Sequence, residues 1–152
     1  MKKLGSVILL LVFLAGCTAP FPPPRGLVQA DVAGKPTVYC KVVKEPDPQL
    51  LGRWKCVWAR FKAKTSETDY MPVEYHLGKY GDRYGLLFFR SKEGGDRIYA
   101  GWRKWEIDGS EIRSDTGITI FTQDGSVFFQ WQADKPIKME RSQEKLPDGA
   151  NP

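Results

Sequence analysis

The chain has 152 residues, with 23 Lys and Arg against 18 Asp and Glu, a single histidine and three cysteines. This length suits one domain, and a formal charge of +5 is too mild for a nucleic-acid footprint. One imidazole, no CxxC pair and no histidine cluster argue against zinc and dithiol redox chemistry.

The first residues, "MKK", carry positive charge and lead into the apolar run "LGSVILLLVFLAG", which ends at Cys17. A basic start, an apolar segment too short for a permanent span and small residues before a cut site predict a secretory signal peptide over residues 1–16. Leu14-Ala15-Gly16-Cys17 resembles the lipobox of bacterial lipoproteins. That resemblance implies a diacylglycerol on the Cys17 thiol, cleavage just before it and acylation of the new amine, and hence attachment to a membrane by lipid. Thr18, rather than Asp, after the cysteine points to the outer membrane, facing the periplasm, in a two-membrane cell. Cleavage leaves 136 residues (152 less 16) and removes Lys2 and Lys3, which lowers the charge from +5 to +3.

Residues 17–35 are rich in Pro, Gly and Ala, including "APFPPPRG", and read as an extended spacer between lipid and domain. Residues 36–141 then speak β throughout, and residues 142–152 read as a loose tail. Strand-like segments occur at 37–43, 52–61, 73–79, 83–90, 97–105, 111–114, 117–122, 126–132 and 137–140, with "EPDPQ" breaking the chain after the first and room for a short turn over 47–52. Gly81-Asp82, Glu93-Gly94-Gly95, Asp108-Gly109 and Asp124-Gly125 supply turns. As hairpins, these turns place Tyr75 opposite Phe88, Leu77 opposite Leu86, and Phe88 and Leu86 opposite Ala100 and Trp102. The last loop places Ile118 opposite Trp131, Ile120 opposite Phe129 and Thr122 opposite Val127, so apolar residues gather on one face.

The fold expected is all-β: a single antiparallel meander closing, fully or in part, into a small barrel of about eight strands. "LGRWKCVW" at the head of that meander carries Gly52-x-Trp54 and resembles the Gly-x-Trp signature of lipocalin-like barrels. The resemblance implies a tryptophan plugging one end of the barrel, a late arginine stacked on it, and an open end for an apolar ligand. Arg113 and Arg141 are the two late candidates, and Thr68-Asp69-Tyr70 repeats a second family signature at an earlier position than the family keeps it.

With Cys17 given to lipid, Cys40 and Cys56 remain and are expected to pair in an oxidising compartment. Leu87, Phe89 and Tyr99 fall on the side opposite the apolar face, either under a second layer or as a partner surface extended by Arg103. "YAGWRKWEI" turns Trp102 inward and Arg103 and Trp105 outward. Trp54, Trp58, Tyr75, Phe88, Trp102 and Phe129 are the candidate lining of a ligand cleft. His76, beside Glu74 on a polar strand face, reads as solvated, and with no activated nucleophile, phosphate loop or calcium loop the chain is expected to be neither an enzyme nor a cofactor protein. Two functions compete. One is a lipid-anchored binding or accessory protein for an apolar ligand; the other is a filled-core module, akin to secretion pilots or lysozyme inhibitors, that touches another envelope protein.

Overall fold

A computed structural model describes residues 39–91, 97–99 and 104–145, which form strands and one 3-10 turn without an α-helix. The signal segment, Cys17, the spacer, Ala100, Trp102, Arg103 and residues 146–152 lie outside the described residues, as does the side chain of Tyr99. The strands are β1 (Lys41–Lys44), β2 (Gly52–Lys62), β3 (Glu67–Tyr80), β4 (Arg83–Ser91), β5 (Arg97–Tyr99), β6 (Trp105–Asp108), β7 (Glu111–Ser114), β8 (Ile118–Gln123), β9 (Ser126–Trp131), β10 (Ile137–Lys138) and β11 (Glu140–Arg141), with the 3-10 turn at Pro48–Leu50.

They form two sheets in place of one closed ring. The first has the order β11-β2-β3-β4-β5 and the second β1-β6-β7-β8-β9-β10. Side-chain alternation explains why the sheets face each other. On β3, Val73, Tyr75 and Leu77 point to one side, and Leu86 and Phe88 of β4 lie beside them. Ile112 of β7, Ile118 and Ile120 of β8, and Val127 and Phe129 of β9 present the matching surface, and all are buried. Two-residue loops set the register: Gly81 has φ +64 between Tyr80 and Arg83, while Asp124 and Gly125 have φ +48 and +71 between Gln123 and Ser126. The second pair is the left-handed combination that matches strand twist.

The chain crosses between the sheets at both edges. Tyr39 bridges Gly85 of β4, after which β1 pairs with β6 in parallel, against the antiparallel expectation for this segment. At the other edge β10 pairs with β9 and β11 with β2, and buried Met139 sits between them. The expected strand over residues 97–105 is also divided, since β5 extends the first sheet and β6 belongs to the second. Its register against β4, with Phe89 opposite Tyr99, is the one that the hairpin loop implies.

Cys40 and Cys56 are free thiols, which corrects the expected disulfide. The ladder gives the reason. Cys40 N–H donates to the Tyr84 carbonyl (2.9 Å) at the start of β4, whereas Cys56 faces Val73, which pairs with Arg90 at the other end of that strand. Six residues at about 3.3 Å each separate those levels, far beyond the roughly 7 Å that a disulfide spans between Cα atoms. Burial pushes both thiols up to about 12.

Residues 142–145 correct the expectation of a loose tail. Ser142 N–H donates to the Arg53 carbonyl (2.8 Å), and the Arg53 guanidinium donates to the carbonyls of Glu144 (2.9 Å) and Lys145 (3.0 Å).

Candidate functional site

The two ends of the interior differ in chemistry. At the first, Asp47 caps the 3-10 turn by accepting from Gln49 N–H (2.9 Å), and its other carboxylate oxygen accepts from the Thr122 hydroxyl (3.0 Å). Leu50 is thereby set fully buried in the core, and its carbonyl accepts from the Tyr75 hydroxyl (3.0 Å), whose pKa burial raises. Gly52 then turns the chain into β2 at φ +98, a backbone region that excludes most side chains. Trp54 follows, with its indole N–H on the Leu51 carbonyl (3.3 Å) and the Arg141 guanidinium 5.5 Å from its ring centroid. Of the two late arginines, Arg141 meets the tryptophan, while Arg113 pairs with Glu111 on the surface.

At the opposite end, Trp58 of β2 stacks on Trp131 of β9, with centroids 4.8 Å apart and planes at 20°, so the contact joins the two sheets. The Trp58 indole N–H donates to an Asp134 carboxylate oxygen (3.1 Å). Arg90 shares the inward face of β4 with Leu86 and Phe88, and its guanidinium lies 5.8 Å from the Trp131 ring centroid. Its Nε is buried without a hydrogen-bond partner, and no ion pair to Arg90 occurs among the described residues. Trp105, 2% exposed, packs on Phe88 at 5.2 Å between centroids, and its Nε1 is likewise buried and unpartnered. An indole N–H held this way costs about 1–3 kcal/mol in lost hydration, and the buried guanidinium N–H costs at least as much.

The expected cleft lining separates into two groups. Tyr75, Phe88 and Phe129 are fully buried in the middle, with Phe88 and Phe129 stacked at 6.4 Å, so they fill the interior rather than line an opening. Trp54 belongs to the end with the 3-10 turn and Trp58 to the opposite one; Trp102 lies outside the described residues. Arg90 and Trp131 were not among the sequence candidates, and Trp105, expected outward, is turned inward and buried. Arg90 was readable, since pairing Phe88 inward also turns Arg90 inward by the two-residue alternation. Trp105 was not, because its inward direction follows from the break after β5.

The expected partner face is covered. Leu87 is 4% and Phe89 1% exposed; Tyr99 and Arg103 contribute no described side chain. On the same face, Arg53 and Glu74 form a buried ion pair, and Arg53 also reaches the Glu144 carboxylate (3.2 Å). His76 beside them is half-buried, not solvated. Its Nδ1 is buried and unpartnered, and its pKa is lowered, first by desolvation and then by the Arg53 charge, against the opposing pull of Glu74.

Comparison with protein-family models, with curated proteins and with solved structures finds no match to this chain.

Proposed function

We propose that the protein is a lipid-anchored lipoprotein of the cell envelope, held by Cys17 at the outer membrane on the periplasmic side, and that it is a binding or accessory protein taking an apolar ligand between its sheets. In this reading the two sheets are a flattened, partly open barrel of lipocalin-like type. The observation that carries it is the contrast between the ends: one is closed by the 3-10 turn, Trp54 and Arg141, and the other keeps aromatic rings beside unpartnered donors. Crossing of the chain at both sheet edges also supports a barrel-like enclosure. The interaction-module reading draws on a different fact, the meeting of Phe88 and Phe129 across the middle, which leaves ligand only the outer end.

The address is tested separately from the ligand. Cys17→Ser in the producing cell abolishes incorporation of labelled palmitate and releases the protein from the membrane fraction. Retention of label by the variant would remove the lipoprotein reading.

A further inference from the structure

We propose that the end of the interior marked by Arg90 and Trp105 is an anion site, which takes the carboxylate or phosphate head of a single-chain amphiphile. This rests on the ligand reading above and deepens it. Arg90 is the charge that β4 turns inward beside Leu86 and Phe88, level with Cys56 and Val73 of the neighbouring strands. A side chain needed only to fill that position would be apolar, since an arginine there takes its Nε–H out of water without returning a partner. Trp105 repeats the pattern from the facing sheet. The two donors flank one ring, Phe88: Trp105 by direct contact, and Arg90 two residues along the same strand face.

Donors without acceptors, one of them cationic, select an anionic oxygen ligand, because a charge-assisted hydrogen bond is about twice as strong as a neutral one. Cationic and purely hydrocarbon ligands leave both N–H groups unpaired. The Asp134 carboxylate is engaged by the Trp58 indole, so the favoured position for the anion is on the Arg90 and Trp105 side of the Trp58–Trp131 stack. The rings of Trp58, Trp131 and Phe88, with Met71 beside them, offer apolar contact to the first part of the tail.

The test titrates the full chain carrying Cys17→Ser with myristate, dodecyl phosphate and tetradecanol, followed by tryptophan fluorescence and calorimetry. The anions are expected to bind at least about tenfold more tightly than the alcohol. Arg90→Gln removes that preference by weakening the anions about tenfold and the alcohol much less, while Trp105→Phe, which keeps the ring and loses the N–H, weakens the anions by about threefold. Binding of one anion alone supports the site and identifies its head group. Equal binding of alcohol and anions, or undiminished anion binding by Arg90→Gln, overturns the anion site and leaves the ligand reading in place. No binding by any of the three overturns both. Thermal melting and circular dichroism of each variant establish that it is folded, and Trp105→Phe alone decides the question if Arg90→Gln is not.

Discussion

Arg53 and Glu74 sit 5% and 3% exposed on the outer face of the first sheet, a position that strand alternation assigns to solvent. They tolerate burial because the guanidinium is engaged on every side: Glu74 at Nε, the Glu144 and Lys145 carbonyls at one terminal nitrogen, and the Glu144 carboxylate at the other. His76 has no such partner at Nδ1, and the charges facing it are Arg53 and Glu74. Since its folded pKa lies below the unfolded value near 6.5, the unfolded chain takes up the proton first as pH falls. This contribution to stability is thus present above about pH 6.5 and declines as pH drops toward the folded pKa. Urea unfolding of His76→Gln between pH 7 and 5 is expected to show a shallower loss than the unsubstituted chain, and parallel curves would remove His76 as the cause.

Among the elements, the junction of the 3-10 turn with β2 depends most on a single backbone angle. Gly52 holds φ +98, and a Cβ placed there would lie 3.0 Å from the Arg141 Nη2 atom. Gly52→Ala is therefore expected to lower stability by about 1–2 kcal/mol, mainly through the backbone, in a denaturant titration. An unchanged midpoint would mean that the turn relaxes freely. Hairpin elements were legible in the sequence because their register depends on local matters, a two-residue turn and alternating apolar residues. The pairs of Tyr75 with Phe88 and Ile120 with Phe129 follow from those alone. The parallel pairing of β1, the break between β5 and β6, and the burial of Leu87, Phe89 and Glu74 were not legible, because each depends on what a distant segment lays across an edge or a face. At the candidate site, the aromatic residues were visible by type. Arg90 was readable from the alternation that turns Phe88 inward, although its charge argues for an outward position.

For the molecule as a whole, two sheets are held by a shared core and by short crossings, and the C-terminal crossing carries several tasks. Residues 137–141 pair with β9 and then β2, Arg141 covers Trp54, and residues 142–145 satisfy Arg53. Ending the chain after Lys138 removes β11, Met139 and the partners of Arg53 beyond Glu74. Leaving a buried charge short of partners costs about 3–5 kcal/mol. The truncated chain is thus expected to unfold at a markedly lower urea concentration, by at least about 3 kcal/mol, and a near-native midpoint would show that residues beyond 138 are dispensable.

Tyr39 joins the fold against Gly85, with the Arg83 guanidinium 3.7 Å from the centroid of its ring, on the side of the molecule where Leu77 pairs with Leu86. That is the pole of the 3-10 turn and Trp54, and Arg90 lies at the other. If the lipid on Cys17 is the mooring, the leash is tied to the Trp54 pole. A solute then reaches Arg90 from the opposite direction, without displacing the protein's own attachment.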